Sequence, residues 1–160
     1  EERYTVIADA LAAVAQAAGA TILFLPMQRE VDLGIAEEMS GWTPAENRVC
    51  DLPLTPREML AAVGRCDFLL GMRLHALIFA VHRGVPAFGL AYDPKVRDFA
   101  EAAKLPPALD WEEVEGSLLT DLLRDHWENR DALRATAVAS AENLTTLAGW
   151  NFERVKALLG

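Results

Sequence analysis

Cysteine is scarce in this chain. Cys50 and Cys66 are its only two in 160 residues, too few for a disulfide framework. Each borders an apolar run, so both are expected as buried free thiols in a reducing compartment. Basic charge is not in excess either: the formal net charge of -9 argues against general nucleic-acid or anionic-membrane binding, which need a basic face. Long apolar runs are missing, and no stretch approaches the roughly 20 residues that span a bilayer. The first residues show no charged, apolar and cleavage regions in series, so no export signal is read there and a cytoplasmic location is expected. The usual glycine-rich phosphate loops are absent. So are internal repeats, low-complexity tracts and linkers. His75 and His82 would stand about 10.5 Å apart along a helix at 1.5 Å per residue. That is too far for one metal, and with no thiol or carboxylate completing a set, neither metal nor cofactor is expected.

What is present is a globular composition, 52% hydrophobic and 24% charged, in a chain long enough for one domain with a real core. Helix and strand patterns alternate. Val6, Ala10, Val14 and Ala17 or Ala18 mark a helix ending at Gly19. Residues 21–25 read as a strand buried on both faces, 30–39 as a helix closed by Ser40-Gly41, and 48–50 as a weak strand. Thr55-Pro56-Arg57-Glu58 is a capping box opening helix 56–64. Strand 67–70, helix 73–83 closed by Gly84, strand 85–90 and helix 94–103 follow. After Pro106-Pro107 the pattern turns helical, at 112–124 and then 127–148, with Leu133, Ala137, Ala141, Leu144 and Ala148 as one stripe. This order predicts an α/β, Rossmann-like domain over residues 1–160: a parallel sheet with helices on both faces and C-terminal helices in 126–160. Opening on a helix rather than a strand, it reads as a piece of a longer protein. Trp42, Trp111, Trp127 and Trp150 are scattered and read as packing residues, His126 as a surface or packing residue.

Charge is uneven. Residues 71–97 hold Arg73, Arg83, Lys95 and Arg97 against Asp93 alone, net +3, leaving -12 for the remainder. A basic island of that size suits a small anion rather than a polymer. Arg73 and His75 follow strand 67–70, and Lys95 opens the helix after strand 85–90. If those strands are neighbours in a parallel sheet, both connections emerge at the carboxyl edge, where α/β folds bind ligands. Two helix N-termini, a guanidinium and an ammonium would then favour phosphate or carboxylate, with His75 able to exchange a proton. Gln28, just after the first strand, reaches the same edge. The structural alternative is that Arg73 pairs with Asp67 or Asp93, His75 is a satisfied core residue and Lys95 is solvated.

The run "GMRLHALIFAVHRGVPAFGLAYDPKV" resembles the carboxyl-terminal domain of polysaccharide pyruvyl transferases, including bacterial cell-wall enzymes. The resemblance lies in the Arg-Leu-His triplet, the Gly-Val-Pro strand and the Tyr-Asp-Pro-Lys turn. It implies two Rossmann-like domains facing a cleft, as in glycosyltransferases of the B type, of which this chain spans about the carboxyl-terminal half and lacks the amino-terminal domain. It further implies transfer of an enolpyruvyl unit from phosphoenolpyruvate to a sugar, free or lipid-linked, forming a pyruvate ketal without a metal. Arg73 and Lys95 would hold the donor, His75 would act as general acid or base, and Leu74, Tyr92, Asp93 and Gln28 would lie in the substrate site. The enzyme would work in the cytoplasm, near the inner membrane face where the acceptor is lipid-linked; self-association is left open. Two rivals are a nucleotide-sugar glycosyltransferase or epimerase, which needs a ribose-binding carboxylate at the strand edge, and a non-catalytic anion-binding fragment.

Overall fold

The computed structural model describes residues 2–159. In chain order it holds α1 (Glu2–Ala18), β1 (Ile22–Phe24), α2 (Arg29–Trp42), β2 (Asn47–Val49), α3 (Pro56–Val63), β3 (Leu69–Gly71), α4 (Leu74–His82), β4 (Ala87–Ala91), α5 (Pro94–Ala102), β5 (Leu109–Asp110), a 3-10 turn at Trp111–Glu113, α6 (Gly116–Glu128) and α7 (Arg130–Leu159). The architecture is α/β with parallel strands.

Local chemistry sets several boundaries. Glu58 N–H donates to Thr55 Oγ1, and Thr55 N–H donates to Glu58 Oε2 at 2.8 Å, the reciprocal capping box expected at α3. Gly19 and Gly84 close α1 and α4 with φ of +63° and +65°, a backbone state that glycine adopts without a Cβ clash. Gly84 is also crowded, since a Cβ there would meet Val138 of α7 at 2.8 Å.

Other boundaries depart from expectation. α2 runs through Gly41 to Trp42, and Thr43 closes it by donating its hydroxyl to the Met39 carbonyl at 2.7 Å. α7 is one helix that continues past 148 to Leu159. Its stripe points inward at Leu133, Ala137, Ala141 and Leu144, whereas Ala148 is exposed. The expected packing of Trp150 lies outside the described residues. β5 went unpredicted because two residues show no periodicity. On α1 the buried residues are Ile7, Ala8, Ala10, Ala12 and Ala15, a broader face than the Val6–Ala10–Val14 line, because α1 packs on both α2 and α6.

β4 is the middle of a three-stranded parallel sheet, β3-β4-β5, and is buried throughout. Its alternation feeds two cores. Ala87 and Ala91 face Leu77, Val81, Val96 and Ala100, while Phe88 and Leu90 face Ile7, Leu119 and Leu123. β1 and β2 form a separate parallel pair, so the single sheet expected from sequence is present as two pieces. Nor are the strands at 21–25 and 67–70 buried on both faces: Leu23 is 45% exposed, and Leu69 and Leu70 are half-buried. The reason is a cavity of about 1000 Å³ along the facing edges of β1 and β3, also walled by Leu11 and Val14 of α1.

His126 is not a surface residue. It is buried in the last turn of α6 and stacked on Phe88, with ring centroids 4.6 Å apart and an interplanar angle of 27°. Its Nδ1 is buried and makes no well-formed hydrogen bond, only a weak interaction with the Leu122 backbone one turn earlier. Burial pushes its pKa below the ordinary histidine value, more than neighbouring Asp125 and the Leu122 backbone restore it. Between the lowered folded value and the ordinary unfolded one, the unfolded chain binds a proton that the folded chain does not. The stabilising contribution is therefore complete above the unfolded histidine value and is lost as pH falls through the folded one. Urea midpoints measured from pH 7.5 down to 5 are expected to fall, with a shallower slope in His126→Leu. Equal slopes in the two proteins would remove His126 as the cause.

Candidate functional site

β3 and β4 are parallel neighbours, paired Leu69 to Ala87 through Gly71 to Gly89. The β3–α4 and β4–α5 connections therefore open on one edge, as the sequence reading required. Arg73 is the N-cap of α4, with extended backbone and no side-chain cap bond, which leaves its guanidinium free to reach across the edge. Asp93 caps α5 by accepting the Lys95 N–H at 3.0 Å, with Pro94 in the first turn.

The Arg73 guanidinium pairs through Nη2 with Asp32 Oδ1, a residue in the first turn of α2. The other carboxylate oxygen of Asp32 accepts the Gln28 N–H at 2.9 Å. Asp32 thus ties the turn after β1 to the turn after β3. This pairing pushes the Arg73 pKa up, partial burial opposes it, and Tyr92 adds a smaller favourable interaction. Arg73, Asp32 and Tyr92 all line the large cavity. A guanidinium has five N–H donors in a fork, so one bond to Asp32 fixes its position without exhausting it.

The remaining residues named from sequence do not line that cavity. Leu74 is the first residue of α4 and half-buried; His75, next along, is exposed rather than a satisfied core histidine. Lys95 is exposed and lies 3.1 Å from Asp93 Oδ2, and these contacts to Lys95, backbone first, hold the Asp93 carboxyl below its usual range. Gln28 sits at the edge as the N-cap of α2 and contributes its backbone rather than a side-chain cap bond.

The basic island is also less free than its sequence suggests. Arg97 pairs with Asp110 at 2.7 Å, so three of its four cations have a carboxylate partner. Arg83 lies beside Gly64, at the end of α3. A window read along the chain cannot see acids that the fold brings back from residues 32 and 110. Asp32 is the residue the sequence reading missed, having offered Asp67 or Asp93 as partners. The signal was available, because Asp32 opens a helix after a strand just as Arg73 and Lys95 do.

A family model described as polysaccharide pyruvyl transferase matches residues 4–94. The match spans Asp32, Arg73, His75 and Tyr92 and stops one residue before Lys95. No curated protein and no solved structure matches the chain.

Proposed function

This chain belongs to the polysaccharide pyruvyl transferase family, and from that membership we propose that it carries the donor-binding edge of an enzyme moving an enolpyruvyl group from phosphoenolpyruvate to a polysaccharide sugar. The observation that carries the reading is Arg73, held by Asp32 at the carboxyl edge within the family-matched segment. Phosphoenolpyruvate is a compact polyanion, and the Arg73 N–H groups not used by Asp32 bind its phosphate or carboxylate through charge-assisted bonds. The amino ends of α4 and α5 add partial positive charge at that edge. The Lys95–Asp93 pair is solvent-exposed, and exposed pairs are weak enough to yield to a stronger anion.

The reaction has two steps. A general acid protonates the methylene carbon, and a sugar hydroxyl attacks the adjacent carbon, giving up its proton to the conjugate base left by that acid. A second hydroxyl then attacks the same carbon as its bond to the phosphate oxygen breaks, closing the ketal; the hydroxyl proton leaves with the phosphate, and Arg73 and Lys95 stabilise the departing charge. His75, two residues from Arg73 and open to solvent, is the proposed proton-transfer group. The complete enzyme supplies a second Rossmann-like domain facing this edge, as in B-type glycosyltransferases, and brings the acceptor. That acceptor is a polysaccharide sugar, free or lipid-linked, and a lipid-linked one brings the enzyme to the inner face of the membrane.

Phosphate release from phosphoenolpyruvate in the presence of a sugar acceptor, followed by a coupled assay in the full-length enzyme, tests the reading. His75→Ala is expected to lower kcat by about 10²- to 10⁴-fold, the usual worth of a general acid or base. Turnover retained in that variant removes the histidine from the mechanism. No phosphate release from the unaltered enzyme with any acceptor sinks the donor assignment.

A further inference from the structure

The cavity between β1 and β3 is larger than a small anion needs, and its shape follows the strands. Residues 19 to 27, through β1, and residues 65 to 73, through β3, line it, and the Asp32–Arg73 pair brings the turns after the two strands together at one end. β1 and β3 therefore run in the same direction along its two sides. The β1 edge that faces it carries backbone groups without a strand partner. Ile22 N–H donates to the Glu46 carbonyl and Phe24 C=O accepts from Cys50 N–H, both toward β2. In a parallel ladder the alternate residues, Thr21, Leu23 and Leu25, direct their backbone groups the other way. Likewise Leu69 N–H donates to the Pro86 carbonyl of the β4 side, which turns the backbone groups of Phe68, Leu70 and Met72 toward the cavity. No strand among the described residues pairs with either edge. Two facing rows of donors and acceptors beside apolar side chains are costly to leave unpaired and form a template for an added strand.

We infer that this space is a strand position, occupied in the full-length enzyme by an extended apolar segment of the same polypeptide that leads directly into α1. The placement of α1 selects that occupant over a second copy or a free peptide. Its first turn lies at the carboxyl edge, where Tyr4 packs on Trp111, directly after β5, with ring centroids 5.2 Å apart. Its last turn hands the chain to β1 at the opposite edge. A segment entering α1 therefore arrives at the carboxyl edge, running parallel to β1 and β3. A β–α1–β1 crossover between parallel neighbours then needs its first strand beside β1. The other edge of β1 is taken by β2, so the cavity side remains. The resulting order is β2-β1-inserted strand-β3-β4-β5, one continuous sheet. The turn from the inserted strand into α1 then completes the rim beside Arg73, Asp32 and Tyr92, so the site is unfinished without it. This inference does not depend on the donor assignment above.

Amide hydrogen exchange in the full-length enzyme decides it. The amides of Leu23, Leu25, Leu70 and Met72 are expected to exchange about 100-fold or more slowly than those of exposed loops, as for hydrogen-bonded central strands, and peptides ahead of α1 are expected to share that protection. In the 160-residue chain by itself the same four amides are expected to exchange fast. Fast exchange at both edges in the full-length enzyme overturns the inference. So does equal protection in the shorter chain, since β1 and β3 would then close on each other. Protection that rises with protein concentration overturns the choice of occupant in favour of a second copy. Loss of turnover with protection retained bears on the reaction alone.

Discussion

Arg73→Ala in the full-length enzyme is expected to lower kcat/KM for phosphoenolpyruvate about 10²- to 10³-fold, the range seen when one preorganised donor to developing charge is removed. The side chain is about one-third exposed and its ion pair with Asp32 is partly solvated, so its loss alters binding far more than folding. A thermal midpoint measured beside the kinetics separates the two. Arg73→Lys is the sharper variant, since it keeps the charge and discards the planar fork. It is expected to recover only a small part of the lost activity, because lysine cannot bond Asp32 and a phosphate oxygen in one plane. Asp32→Asn is expected to raise KM with a smaller effect on kcat, because Arg73 stays charged but is no longer held in place. If Arg73→Ala turns over at the unaltered rate, the carboxyl edge of β3 is not where the donor binds.

Phe88→Ala is the largest stability effect expected. Phe88 is fully buried on the middle strand of the three-stranded sheet, among Leu119, Leu123 and Ile7. Removing a buried aromatic side chain and leaving a cavity costs about 3–5 kcal/mol. In a chain of this size that corresponds to a drop of roughly 10 °C or more in Tm. The change also uncovers one face of the His126 ring. Water then reaches the imidazole, its pKa returns toward the ordinary value, and the acid-side loss of stability described above flattens. Calorimetry at pH 7.5 and 5.5 reads both effects. A Phe88→Leu variant, which keeps most of the apolar volume, is expected to lose well under half as much. Equal losses in the two variants would show that the cost is not the cavity.

Much of the fold was legible because its signals are local. Thr55 and Glu58, Asp93 and Pro94, Gly19 and Gly84 act within a turn of themselves, so helix starts and stops appear in the chain as written. The apolar runs at 21–25 and 85–90 marked strands, which the structure trims to Ile22–Phe24 and Ala87–Ala91, and the alternation of strand with helix implied parallel pairing. β5 was not legible, since two residues carry no period. The end of α2 was misread because a glycine was tolerated inside the helix.

The amino-acid sequence alone determined that this is an α/β chain with Arg73 and Lys95 at one edge of a parallel sheet, because strand–helix order and the direction of crossovers dictate where each connection emerges. Only the tertiary structure decided that Asp32 holds Arg73, that Asp110 holds Arg97, and that His126 lies against Phe88. It alone also decided that β1 and β3 stand apart with a cavity between them. Those facts depend on which elements pack side by side, on distances between residues 13 to 47 positions apart along the chain, and no short-range pattern encodes them.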